Sequence, residues 1–363
     1  MRMSWKTCSQ TFSRCIAALV ICCRSVYQNI PDRSSRPWAT RLIGNDKFTE
    51  TTILKRFPTV FMLLLVGASF GQTPSADRIN RHINWLASDK MQGRGTGSPE
   101  NAKAAAYIVR QFRKVGLKPL GTDGFYQPFT AKVRRVVVTD SLRKANNVIG
   151  FLNNDAPYTI VIGAHYDHLG MGKQGSSLAE KPEGQIHNGA DDNASGVAGL
   201  LELARYYATN DVKEPYNLLF MAFGAEELGL QGSRYFLNQP TLPLTNLNFM
   251  ICMDMIGRYN PERGVGIGGY GTSETWPQVF KGVESPIKFF TDRAGNGGSD
   301  NAAFYARQIP VLFFHTGGHP DYHKPTDDPD KIDAQAEEQI LKLCIRLLDN
   351  AMQQPKMTFT AVK

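Results

Sequence analysis

Cysteine is scarce where a fold would form. The chain of 363 residues holds six, and four of them, Cys8, Cys15, Cys22 and Cys23, fall near the start. The other two, Cys252 and Cys344, sit in apolar stretches without Cys-x-x-Cys spacing. That excludes a disulfide scaffold and a thiolate metal site, and it predicts two buried free thiols. Internal repeats and low-complexity tracts are also missing, and the composition is neither disordered nor collagen-like. The chain lacks a basic body as well. Its net charge is +8, but ten of the 41 Lys/Arg and only three of the 33 Asp/Glu precede residue 73. The N-terminal fifth therefore carries +7, and residues 73–363 carry +1. The excess charge that would suggest a nucleic-acid partner belongs to the leader, so no such partner is expected.

Lys55-Arg56 precede an apolar run from Phe57 to Phe70, too short for a membrane-crossing helix and matched to the core of an export signal. Ser69 and Gly71 are the small residues expected at −3 and −1 of a cut before Gln72. Residues 1–52 then form a leader of uncertain status, which a downstream translation start near Ile53 or Leu54 would explain. The expected organisation is a leader at 1–52, a signal peptide at 53–71 and one domain at 72–363. The product would be periplasmic or extracellular, with no stable membrane span once matured.

From Ala76 onward, helical and strand-like segments alternate. Ala104, Ala105, Ile108, Val109, Phe112 and Val115 mark one face of a helix over Asn101–Val115, with Gly116 as its stop. Further helices are expected at Ala194–Ala208, Glu227–Asn238, Glu274–Val283, Asn301–Ala306 and Asp330–Met352. Apolar runs at Val136–Val138, Asn147–Leu152, Tyr158–Gly163, Asn217–Phe223, Asn248–Met253, Gly264–Ile267 and Pro310–Phe314 read as strands. Strands that are apolar throughout and separated by helices predict an α/β fold, a three-layer αβα sandwich around a mostly parallel mixed sheet. Gly93-Arg94-Gly95-Thr96-Gly97 resembles a phosphate loop superficially, but it follows a helix rather than a strand, so a dinucleotide site lacks its context.

The polar residues stand where those strands end. His165-Tyr166-Asp167-His168 follows one, Glu226-Glu227 another, Asp254 a third, and Asp321-Tyr322-His323 comes after a fourth; Asp191-Asp192-Asn193 opens a helix. Singly, each has an ordinary explanation as a surface histidine, a helix cap or a solvated helix start. Together they form a nitrogen and carboxylate donor set suited to zinc. Two imidazoles and three carboxylates, one of them shared, would hold two ions, and a further carboxylate is needed to move the proton of an attacking water. Adjacent glutamates supply one residue for each task.

These segments resemble the zinc-dependent aminopeptidases of peptidase family M28. The resemblance runs from about Ala76 to Asn350 and rests on GAHYDHLG, NGADDNASGVAGLLELAR, FGAEELGLQGSRYF, MDMIGR and DYHKPTDD in that order. It implies two Zn2+ per chain, with His165, Asp192, Glu227, Asp254 and His323 as ligands and Asp192 bridging. Chemistry alone leaves the division of ligands open. The family pattern pairs His165 and Asp254 on one ion, and Glu227 and His323 on the other. By the same resemblance Glu226 is the general base, Tyr322 the donor to the oxyanion, and Asp167 the carboxylate that fixes the His165 tautomer. His319 is a possible substrate contact, and so is Asn301, which stands where relatives often carry His. The implied function is N-terminal cleavage of peptide substrates. A carboxypeptidase or glutaminyl cyclase on the same fold, and a metal-free binding module, are the alternatives. His168, His187 and His315 are expected to be loop histidines bordering the cleft.

Overall fold

The computed structural model describes residues 73–362; the leader, the expected signal peptide and the four leader cysteines lie outside the described residues. Nine strands among these residues form one sheet: β1 (Lys118–Pro119), β2 (Tyr126–Lys132), β3 (Leu142–Leu152), β4 (Thr159–His165), β5 (Asn217–Phe223), β6 (Leu247–Met253), β7 (Val265–Gly268), β8 (Phe289–Thr291) and β9 (Val311–His315). Their order is β1-β3-β5-β4-β6-β9-β7-β8, with β2 added on β3. The central pairs β5–β4, β4–β6 and β6–β9 are parallel, as is β7–β8, while β1–β3, β2–β3, β3–β5 and β7–β9 are antiparallel.

Every residue of β4, β5 and β6 is buried, which is why these segments are apolar without alternation. Because side chains alternate across a strand, Ile160, Ile162, Leu218 and Phe220 enter the core on one face. Val161, Leu219, Met221 and Phe223 enter the core on the other. The first face is covered by α1 (Ala76–Leu86), α2 (Pro99–Lys114), α3 (Gly196–Thr209), α5 (Trp276–Phe280) and α7 (Ala334–Met352). The second is covered by α4 (Gln231–Asn238) and α6 (Asn301–Tyr305). This is the three-layer αβα sandwich read from the sequence. Cys252 and Cys344 are free and buried, one in each core. No described helix is long and apolar enough to cross a membrane.

Local chemistry sets the helix ends. Ser98 caps α2 by accepting from the Asn101 amide at 3.0 Å, with Pro99 in the first turn. Asp333 caps α7 by accepting from the Gln335 and Ala336 amides. Some boundaries differ from expectation. Val136–Val138 is not a strand but part of the loop joining β2 to β3, and Val137 is fully exposed. The strand that does form there is β2, whose alternate residues are buried. Glu226 and Glu227 lie in a turn, and α4 begins only at Gln231. The α3 helix starts at Gly196, because residues 190–195 make a wider turn containing a cis Asp192–Asn193 bond. Since β4, β5, β6 and β9 run parallel, their C-terminal loops gather at one edge of the sheet, where an α/β fold binds ligands.

Candidate metal centre

Five ligand-type side chains meet at that edge. His165 is the last residue of β4, Asp254 follows β6, and Glu227 sits in the turn after β5. Asp192 comes from the turn before α3, and His323 comes from the loop after β9. His165 Nε2 stands 3.2 Å from Asp192 Oδ1 and 3.2 Å from Asp254 Oδ2. His323 Nε2 stands 3.1 Å from Asp192 Oδ2 and 3.3 Å from Glu227 Oε2. Asp192 therefore turns one oxygen to each imidazole, and the donors fall into two groups that share it.

The other ring nitrogens explain why these contacts call for cations. His165 Nδ1 is 3.0 Å from the Asp167 carbonyl, and His323 Nδ1 is 2.7 Å from the Ser176 carbonyl. A carbonyl only accepts, so each Nδ1 carries the proton, and in the neutral ring Nε2 presents a bare lone pair to two carboxylates. That arrangement is repulsive unless a proton or a metal ion lies between. Two ligand atoms each 2.0–2.1 Å from one tetrahedral zinc stand ~3.3 Å apart, matching the separations here. Asp254 Oδ1 is buried with no hydrogen-bond partner among the described residues. The donors fit divalent cations; the compact groups are His165 with Asp192 and Asp254, and His168 with Asp192 and Glu227, with His323 beside the second.

The electrostatics agree. Burial opposes the charge on His323, but the hydrogen bonds and charges of Asp192 and Glu227 outweigh it and push the pKa up to about 11. His165 is likewise raised well above its ordinary value, with Asp254 and Glu226 overcoming its burial. Protons stand where cations would.

Glu226 and Tyr322 line the same cleft of about 660 Å³ as these ligands. Glu226 is half-buried; its removal from water and the nearby Glu227, Asp300 and Asp254 charges raise its pKa well above the usual carboxylate range, against the pull of His165. The Tyr322 ring stacks on His323 at 3.9 Å between centroids.

Three expected roles take a different form. The Asp167 carboxylate lies 3.9 Å from His165 Nδ1, too far for a hydrogen bond, and the tautomer is set by the Asp167 carbonyl instead. That carboxylate accepts from the Thr96 hydroxyl at 2.8 Å and from the Glu226 amide at 3.0 Å, so it orients the turn bearing Glu226. His319 does not line the cleft; its Nε2 is 3.1 Å from Asp191 Oδ2 and its side chain is buried. Asn301 is also absent from the lining, because its amide is spent on the Gly295 and Gly297 carbonyls and on the Ser299 amide. His315 does line the cleft.

Two residues hold the site in ways the sequence reading did not assign. His168, expected at the border of the cleft, is fully buried with Nδ1 2.8 Å from Glu227 Oε1. It grips the glutamate oxygen that does not face His323. Arg94, from the glycine-rich segment, is fully buried and donates to four carbonyls, those of Leu86, Tyr166, Asn188 and Gly189. It ties the segment after β4 to the segment that delivers Asp192.

The family model for peptidase family M28 matches residues 147–348, and the chain belongs to that family. It is 29% identical over 180 residues to leupeptin-inactivating enzyme 1 of Streptomyces exfoliatus, a match covering 49% of this chain and 37% of that protein. It is 28% identical over 265 residues to aminopeptidase YwaD of Bacillus subtilis, covering 69% of this chain and 53% of the relative. The matches thus span about a third to a half of these curated relatives' lengths. Among solved structures, glutaminyl cyclase of Bacteroides thetaiotaomicron, bound to N-acetylhistamine, superposes with a TM-score of 0.60 at 21% identity. That match covers 77% of this chain and 98% of the other, and at such identity the likeness is one of fold.

Proposed function

We propose that the chain is an exported dizinc exopeptidase that removes N-terminal residues from peptides. The observation that carries this reading is Asp192, with Oδ1 towards His165 and Oδ2 towards His323. His165, Asp192 and Asp254 would hold one ion, and Asp192, Glu227 and His323 the other. When bound, such a pair polarises the scissile carbonyl and makes water acidic enough to ionise near neutral pH.

The chain's own groups then do the following. Glu226 faces the cleft and takes the proton from the attacking water, then delivers it to the leaving amine. Its pKa is raised first by burial and then by the neighbouring carboxylates, and cations bound beside it would lower it towards a working base. The Tyr322 hydroxyl donates to the carbonyl oxygen as charge builds on it, a contribution on the order of a few kcal/mol for one such donor. The Asp167 carboxylate fixes the Glu226 backbone, and the Asp167 and Ser176 carbonyls hold the two imidazoles with Nε2 towards the ions. Export is supported by the basic leader and the apolar segment before Gln72.

The test is a panel of aminoacyl anilides, free and N-acetylated peptides, and glutaminyl peptides, with chelator and with added zinc. The reading predicts zinc-dependent release of N-terminal residues from unblocked peptides only. Equal cleavage of acetylated and free peptides contradicts it, and ring closure of N-terminal glutamine without peptide cleavage would assign the site to cyclase chemistry.

A further inference from the structure

Two charges in the cleft have no part in the mechanism above. Arg135 is the only Lys or Arg among the described lining residues, and Asp292 is the only lining carboxylate outside Asp192, Glu226, Glu227 and Asp254. Two divalent ions, as proposed above, would balance those four carboxylates. Of the lining acids and bases other than histidine, a cation at Arg135 and an anion at Asp292 are what remain.

They come from opposite edges of the sheet. Arg135 lies on the loop between β2 and β3, near one edge, and Asp292 directly follows β8, the strand at the other. Arg135 is exposed, as is Asp292, but the backbone that carries Arg135 is seated. A Cβ placed on Gly175 would come within 3.2 Å of Arg135 Cβ and 2.6 Å of Val136 Cγ1, so the loop rests directly on that glycine. The guanidinium donates to Ser176 Oγ at 3.0 Å and has no carboxylate partner among the described residues. The carbonyl of the same serine holds His323. One serine and two hydrogen bonds thus separate the guanidinium from a candidate ligand, a path on the order of 10 Å, which two or three extended residues cover.

We propose that Arg135 is a receptor for the C-terminal carboxylate of the substrate and that the enzyme favours short peptides, chiefly of two or three residues, with both ends free. The inference rests on the aminopeptidase reading and deepens it. Direction follows from charge. The substrate's N-terminal ammonium is repelled by Arg135 and drawn to the Asp292 side, so the part that leaves extends towards Arg135. A guanidinium suits a carboxylate because it can offer two parallel N–H groups. A short zwitterionic peptide matches this residual pair of charges, whereas a long chain puts its carboxylate out of reach.

The experiment uses zinc-loaded protein and tripeptides Xaa-Gly-Gly, with Leu, Ala or Lys at the first position, each as the free acid and as the C-terminal amide. For wild type, kcat/KM favours the acid by about three- to fivefold, the scale of an exposed charge pair. Arg135→Gln brings the ratio to about one through a higher KM for the acid, and Arg135→Lys keeps part of the preference. Asp292→Asn raises KM for acid and amide alike, since both carry the ammonium. Equal use of acid and amide by wild type, or an unchanged ratio in Arg135→Gln, overturns the inference and leaves the aminopeptidase reading standing. Failure to cleave any of the six peptides overturns both.

Discussion

Replacing Arg94 by Met tests how the site is held together. The guanidinium is fully buried and donates at 2.7 Å to Leu86 and Asn188, at 2.9 Å to Gly189 and at 3.1 Å to Tyr166. All four acceptors are carbonyls, so truncation leaves four acceptors needing new partners, each costing on the order of 1–3 kcal/mol if it stays dry. Against that stands the cost of burying the charge, which lowers the pKa to about 10 despite Asp192, Asp327, Asp167 and Glu227 nearby. The net loss is roughly 3–5 kcal/mol, typical of breaking a buried charged network. For a domain of this size that lowers Tm by roughly 10 °C. Arg94→Lys keeps the charge but cannot reach four carbonyls at once, and falls between the two. Thermal unfolding of the metal-free proteins gives the stability change, and zinc titration of the folded variants gives the effect on the site. An Arg94→Met protein melting within a degree or two of wild type, with unaltered zinc affinity, refutes the reasoning.

Glu226→Gln should lower kcat by about 10²–10⁴, the usual contribution of a general base, while zinc content stays the same; metal analysis beside the rate assay checks both, and near-normal turnover removes Glu226 from its role. His168→Gln weakens the grip on Glu227 Oε1 and should reduce zinc affinity by about 10–100-fold, as loss of such supporting contacts does; competition with a chromogenic chelator measures it. Asp300 is fully buried, with neither oxygen hydrogen-bonded among the described residues. Burial, opposed by His165 and the nearby Ser233 hydroxyl and helped by Asp167 and Asp254, raises its pKa to about 7. A raised carboxyl pKa contributes stability that is fully present below the ordinary value near 4 and lost as pH rises through 7. In metal-free protein, Asp300→Asn should therefore gain in Tm over wild type between pH 5 and pH 8, and a gap that does not change with pH contradicts this.

How far the sequence could be read depended on whether a residue's partner was near in the chain. The central strands were legible because burial on both faces leaves them apolar throughout, as in Leu218–Phe223. Strand β2 was not, since its alternation includes Pro128 and belongs to an edge hairpin, while the more apolar Val136–Val138 proved to be an exposed loop. The candidate ligands could be picked out because four of the five follow strand ends and the fifth opens a helix. The residues that hold them could not. His168 reaches Glu227 across 59 positions, and Arg94 reaches Gly189 across 95, so only the fold brings them together. His319 and Asn301 lay beside the right motifs, but their side chains are spent on Asp191 and on the 295–299 loop, part of which lines the cleft.

The acidic and imidazole groups around Asp192 are expected to hold two zinc ions that work. Stepwise zinc titration of chelator-treated protein, with calorimetry and hydrolysis of an unblocked peptide followed on the same samples, measures it. The expected result is saturation at two ions per chain, with protons released as the metal displaces them from His165 and His323 and with activity rising to its plateau at the second equivalent. Saturation below one ion per chain, or full activity in metal-free protein, contradicts it.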